Sequence, residues 1–264
     1  MRYRLVPRWR MPETADHMKR LGIIGGTGFL DFEGLEIRAR REDETRWGMP
    51  SGPVLEGVLE DARVAFLHRH GTPSRIPPHR INYRANISAL ETAGCDRIVA
   101  VAAVGGIRDG LVPGSLVVPD QIVDYTWGRE HTFFEDDLEA PVHVDFTAPY
   151  DSALGSALLR SAARADIEVT AGGAYACTQG PRFESAAEVD RLERDGCDIV
   201  GMTGMPEAAL AREAGIAYAH LAIVVNAAAG RAPGPIRVED MAGILAAAAG
   251  KVRQIIRGVV ASQP

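Results

Sequence analysis

Phe183 stands directly before Glu184 in the run TQGPRFESAAE (178–188), and a second unusual run, GMTGMPE, follows at 201–207. An aromatic ring can stack on a planar heterocycle, and a carboxylate beside it can accept a hydrogen bond from a ring N–H. Upstream, Gly25-Gly26-Thr27-Gly28 offers backbone amides and a hydroxyl to an anion. Arg69-His70-Gly71 offers a guanidinium, able to make forked hydrogen bonds to phosphate, and an imidazole able to donate another. Thr203 adds a further hydroxyl. Each of these stretches alone reads equally as a tight turn or a solvated Arg–His pair; their recurrence at successive strand ends is what joins them. No Walker lysine accompanies them, a dinucleotide fingerprint would need glycine where Asp31 stands, and no side chains are spaced as metal ligands. These donors suit a small free anion such as orthophosphate, which makes phosphate a reactant.

The elements that must carry these residues follow from the patterning. RLGIIGGTGFLDF (20–32), RVAFLHRHGTP (63–73), RIVAVAAVGGIRDG (97–110), GAYACTQGP (173–181), DIVGMTGMPE (198–207) and YAHLAIVVNAAAG (218–230) each pass from an apolar strand into a polar or glycine-rich turn. Helical periodicity fills the intervals at 82–94, 152–166, 185–196, 206–215 and 238–262. Strands alternating with helices predict one α/β domain over 21–264, a central mixed but mainly parallel sheet flanked by helices. Ligands of such sheets lie beyond the carboxyl ends of the strands, where the polar turns are. The irregular stretch 130–151 has the length of a lid or subunit contact.

Residues 1–20 are basic but lack the apolar middle and cleavage site of a signal peptide, and are read as a loose tail. Over 264 residues the formal charge is −6 and 46% are hydrophobic, which supports a sizeable core and gives no basic footprint for nucleic acid. Cys95, Cys177 and Cys197 are widely spaced and fit a reducing cytoplasm, and no apolar run approaches the roughly 20 residues of a membrane span. Cys177, Cys197 and Met205 read as core, Glu207 as a helix-start carboxylate, and Asp124 and Tyr125 as either structural or pocket groups.

From about Leu21 to Val260 the chain resembles the trimeric purine nucleoside phosphorylases and methylthioadenosine phosphorylases. The resemblance is carried by IIGGTG, RHG followed by NYRANISAL, AVGGI, PDQIVDYTWGREHTFF, TQGPRFESAAE, GMTGMPEAALARE and the VVN turn. It implies the nucleoside phosphorylase fold and cleavage of a purine N-glycosidic bond by phosphate, with no cofactor beyond that co-substrate. It assigns Thr27, Arg69, His70 and Thr203, with backbone at Ala103 and Val104, to phosphate; Met202 to ribose; and Phe183 to stacking near the base. Relatives acting on 6-aminopurines resemble GPRFSS with two Asp after the last core strand; here the corresponding residues are Glu184, Asn226 and Ala228, the 6-oxopurine pattern. Glu184 can accept from N1–H while the Asn226 amide donates to O6 or N7, so these two would carry catalysis by stabilising the leaving base.

Ile236 aligns with the residue near the sugar 5′ end, where a histidine serves a 5′-hydroxyl and an aliphatic residue serves a thiomethyl group. His143 matches a position that neighbouring subunits insert into the adjacent site. The resemblance therefore implies a cytoplasmic homotrimer acting on 5′-methylthioinosine, with general inosine and guanosine phosphorolysis, methylthioadenosine phosphorolysis, and an inactive nucleoside-binding protein as the rival readings. Two departures touch the phosphate region: Ser74 replaces a usual histidine, and Ala102 a usual Thr or Asn, with Arg75 or His79 as candidate substitutes.

Overall fold

The computed structural model describes residues 4–5, 20–26, 32–136 and 138–262. In chain order its elements are β1 (Arg4–Leu5), β2 (Arg20–Gly25), β3 (Glu36–Arg41), β4 (Val54–Leu59), β5 (Ala62–His68), α1 (Tyr83–Thr92), β6 (Cys95–Gly106), β7 (Leu116–Val118), β8 (Gln121–Tyr125) and β9 (Val142–His143). There follow α2 (Ser152–Arg164), β10 (Thr170–Ala171), β11 (Ala174–Thr178), α3 (Ala186–Arg194), β12 (Cys197–Gly201), α4 (Gly204–Glu213), β13 (Ala217–Ala227) and α5 (Val238–Ala261).

The main sheet runs β10-β7-β13-β6-β2-β5-β4-β3, and β12, β11 and β8 branch from the end of β6. β2, β6 and β13 lie at its centre in parallel. Strands covered on both faces should read as continuous apolar runs, and IVAVAAV and LAIVV do. Leu21, Ile23, Val99 and Val101 point to the face covered by α2 and α5, whereas Ile24, Ile98 and Ala100 point to the face covered by α1 and α4. Each predicted helix is present. α1, α2 and α3 begin at Asn82, Asp151 and Ser185, whose side chains accept from the backbone N–H three residues on, and α3 closes a full capping box with Glu188.

The antiparallel edge pair β3–β4 was not legible in the sequence. Every residue of β3 is exposed and most are charged, which lets the strand end the sheet without inviting another partner. The sheet is mixed and mainly parallel, as expected, with antiparallel pairings at β3–β4, β4–β5, β7–β13 and β6–β12. Along β13 the register with β6 shifts between Val224 and Asn226. The extra residue, Val225, is a bulge that re-aims the Asn226 end of the strand. Among the described residues of 130–151 only the short β9 forms, pairing with Arg4–Leu5; the rest of the predicted tail up to residue 19 lies outside the described residues.

Candidate active site

A cavity of about 530 Å³ opens at the carboxyl ends of the central strands. β2 contributes Gly26, the end of β5 Arg69 and His70, β6 Ala102 to Gly105, β12 and its turn Val200 to Thr203, and β13 with its turn Val225, Asn226 and Ala228. Phe183 and Glu184 enter from the turn after β11, and Ile236, Val238, Met241 and Leu245 form an apolar wall around the start of α5. The sequence-assigned residues thus converge here with two exceptions. Thr27 lies outside the described residues. His143 lines a separate depression with Asp145, Arg212 and Tyr218.

At one end Arg69 has no exposed side-chain surface. Its Nε and Nη2 donate to the two carboxylate oxygens of Glu207 at 2.7 Å each, and Nη1 donates to Val101 O at 2.8 Å. The fork that sequence reasoning reserved for an anion is therefore taken by Glu207, and only the spare N–H groups of Nη1 and Nη2 remain. Burial alone would pull the Arg69 pKa down, but the Glu207 charge and hydrogen bonds reverse that and hold it above its ordinary value. Glu207 does sit in the first turn of α4, yet its carboxylate turns inward and also accepts from Tyr218 Oη at 2.7 Å. Neither Glu207 nor Tyr218 stood out in the sequence as part of a site. Gly26 must be glycine because a Cβ there would meet Val101 O at 2.7 Å and Arg69 Nη1 at 3.0 Å.

His70 Nδ1 lies 2.8 Å from Ile76 O, and since a carbonyl only accepts, Nδ1 carries the proton. The neutral ring then has Nε2 as an acceptor, and donation to an anion needs a second proton. Burial, with the nearby Arg69 charge, lowers the His70 pKa despite the bond to Ile76. Thr203 precedes α4 without capping it, so its hydroxyl is not spent on the helix. The glycines of GMTG are explained by Tyr175: a Cβ on Gly201 or Gly204 would come within 2.4 Å of its ring or hydroxyl. Ser74 is exposed, and neither Arg75 nor His79 lines the cavity that Ala102 reaches.

At the other end Glu184 Oε1 accepts from Thr178 Oγ1 at 2.6 Å. Asn226 Nδ2 donates to Ala227 O at 2.7 Å, leaving its second N–H and its Oδ1 for other partners. Ala228 is buried and presents no polar side chain. Met202 packs on the turn that carries Phe183, where a Cβ on Gly180 would lie 2.5 Å from Met202 Sδ. Sequence reasoning gave no role to Arg129, which lies in the quoted run PDQIVDYTWGREHTFF. It is buried and donates to Gln179 Oε1 and Gln179 O, to Thr178 O, to Tyr83 Oη and to Met205 O. Asp124 accepts from Thr126 N and Tyr125 Oη donates to Asp195; both stay outside this cavity, but Tyr125 lines a neighbouring pocket with Thr178 and Glu184. Cys177, Cys197 and Met205 are buried, as read.

The sequence profile of the phosphorylase superfamily matches residues 20–261. The chain is 51% identical over 240 residues to a probable S-methyl-5′-thioinosine phosphorylase of Pseudomonas syringae pv. tomato, spanning 91% of this chain and 98% of that one. It is 44% identical over 219 residues to a 6-oxopurine nucleoside phosphorylase of Pyrococcus furiosus, spanning 81% of each. Among solved structures, a methylthioadenosine phosphorylase from Schistosoma mansoni in complex with adenine superposes with a TM-score of 0.88 at 33% identity, covering 92% of this chain and 91% of that one.

Proposed function

The chain belongs to the phosphorylase superfamily, and from that premise we propose that it cleaves 5′-methylthioinosine with phosphate, giving hypoxanthine and 5-methylthioribose 1-phosphate. The observation that carries the reading is the composition of one continuous cavity: Glu184, Asn226 and Ala228 at one end, Arg69, His70 and Thr203 at the other, and the apolar wall with Ile236 between helix and solvent. The N9–C1′ bond breaks, a C1′–O bond to phosphate forms, and the purine leaves with a proton. Positive charge grows on the sugar and negative charge on the base, so groups meeting those charges stabilise the transition state more than the ground state.

In this reading Glu184 accepts from N1–H and Asn226 donates to O6 or N7, while adenine would face Glu184 acceptor to acceptor. Ala228 leaves no carboxylate for a 6-amino group. Phe183, 39% exposed, is the stacking surface, and Met202 lies along the ribose. Phosphate would be met by Thr203, the spare donors of Arg69, the backbone of Ala103 and Val104, and Thr27. His70, with Nδ1 already spent, would serve the protonated oxygen of hydrogen phosphate or donate as an imidazolium. Orthophosphate is the only co-substrate the reaction needs. We further read the chain as a cytoplasmic homotrimer in which His143 of one copy reaches the next copy's 5′ end; none of the helices among the described residues is long and apolar enough to cross a membrane.

The deciding experiment compares kcat/KM for phosphate-dependent base release from 5′-methylthioinosine, 5′-methylthioadenosine, inosine and adenosine. Hypoxanthine released fastest from 5′-methylthioinosine is the expected result. Faster inosine cleavage would favour the wider 6-oxopurine activity in the name of the Pyrococcus furiosus relative, and adenine release would overturn the base assignment. Ile236→His should lower the thiomethyl-to-hydroxyl preference about tenfold, the scale of a small apolar pocket contact.

A further inference from the structure

Thr178 closes β11, and its hydroxyl lies 2.6 Å from Glu184 Oε1 and 3.4 Å from Gly201 O. A threonine hydroxyl has a single proton to give, and at these distances it goes to the carboxylate. We propose that Thr178 is a positioning residue for base recognition, holding Glu184 as an acceptor with Oε1 engaged and Oε2 turned to the N1–H of a 6-oxopurine. The proposal rests on the functional reading above and deepens it.

Without such an anchor a glutamate side chain at a cavity wall samples several rotamers, and ordering it on binding opposes affinity. Thr178 is itself held. Arg129 Nη2 donates to Thr178 O at 3.2 Å and to Gln179 O at 2.9 Å, and Nε donates to Gln179 Oε1 at 3.1 Å. The same guanidinium donates to Met205 O, beyond the turn that carries Met202 and Thr203. The anchor of Glu184 is thus tied by one buried cation to the strand end that faces sugar and phosphate.

The hydroxyl also bears on selectivity. To serve a 6-aminopurine, Glu184 would have to carry a proton and present it to the unprotonated N1. A carboxylate whose Oε1 already accepts from Thr178 Oγ1 meets the unprotonated N1 acceptor to acceptor. Thr178 therefore separates 6-oxo from 6-amino bases without touching either.

Thr178→Val keeps the β-branched shape at a strand end and removes the donor, while Thr178→Ser keeps the donor. For wild type and both variants the measurements are kcat and KM with 5′-methylthioinosine, KM for phosphate, and calorimetric Kd for hypoxanthine and for adenine. Thr178→Val should lower kcat/KM and weaken hypoxanthine about tenfold, the scale of one hydrogen bond to a charged group, with phosphate KM and adenine Kd within about twofold of wild type. Thr178→Ser should recover hypoxanthine binding to within about threefold. Equal losses for hypoxanthine, adenine and phosphate would mean a merely structural residue and overturn the proposal, as would hypoxanthine binding unchanged in Thr178→Val. A wild-type enzyme that binds hypoxanthine but leaves 5′-methylthioinosine intact would sink the functional reading, and the base Kd values would still judge Thr178.

Discussion

At one end of the cavity, the proposed phosphate end, Arg69 and Glu207 have no exposed side-chain surface and satisfy each other, whereas at the other, the proposed purine end, Phe183 is 39% exposed and Glu184 engages a single hydroxyl. The first end resembles a protein core: its charges are neutralised internally, and taking them from water is tolerable because both carboxylate oxygens and three guanidinium nitrogens are hydrogen-bonded. The second end resembles a surface with a pattern of donors and acceptors written on it. The difference teaches where each property resides. The buried, mutually satisfied charges lie under the Arg69 end, and the proposed reading of the base falls to side chains nearer the surface at the Glu184 end.

Breaking the core-like end should have the largest effect. Glu207→Ala leaves the Arg69 guanidinium buried without its partner, and unfolding in urea should show a loss of about 3–5 kcal/mol, with soluble yield falling in step. A loss under about 1 kcal/mol would mean that the pair is not a structural element and would erase the contrast.

The surface-like end should respond in selectivity instead. Glu184→Ser combined with Asn226→Asp should shift the inosine-to-adenosine ratio of kcat/KM toward adenosine by about a hundredfold while stability moves by less than about 1 kcal/mol. An unchanged ratio would show that these positions do not read the base.

The smallest effect sharpens the account of the core-like end. His220 is buried among the rings of Tyr150, Tyr175 and Tyr218, with Glu207 bonded to Tyr218 and the Arg69 charge nearby. Burial, then the Arg69 charge, pushes its pKa well below the ordinary histidine value. A histidine that stays neutral when folded has no effect above about pH 6.5. Below that the unfolded chain takes the proton first, and stability falls by up to about 1.4 kcal/mol per pH unit until the folded group titrates. His70 acts in the same direction and is left in place. Between pH 7.5 and 5.0, His220→Phe should therefore lose less stability than wild type, by about 1–2 kcal/mol. An identical loss would place the acid sensitivity elsewhere.

The elements that sequence reasoning found are those whose signal is local. α1 to α5 announce themselves through apolar periodicity and, for α1 to α3, a side-chain cap, and the central strands through apolar runs ending in glycine or polar turns. β3 was missed because an exposed, charged edge strand carries no such run, and β4 because its largely buried apolar run VLEGVL is interrupted by Glu56 and Gly57. The lining of the candidate cavity was largely legible, since Glu184, Asn226, Met202 and Thr203 occupy motif positions in the turns that surround it. The commitments of those side chains were not. Arg69 and Glu207 are 138 residues apart, and nothing in either neighbourhood says that each would be the other's partner.

The amino-acid sequence by itself determined the alternation of strands and helices, the edge of the sheet at which chemistry gathers, and the donor and acceptor types available to a purine. These depend on patterns within a few residues and on side-chain identity. Tertiary structure alone decided which donors remain available for a ligand: Arg69 is mostly spent on Glu207, His70 Nδ1 on Ile76 O, and Thr178 on Glu184. The physical reason is that a hydrogen-bonding valence is used by whatever group the fold brings within about 3 Å, and that proximity is a property of packing between distant segments.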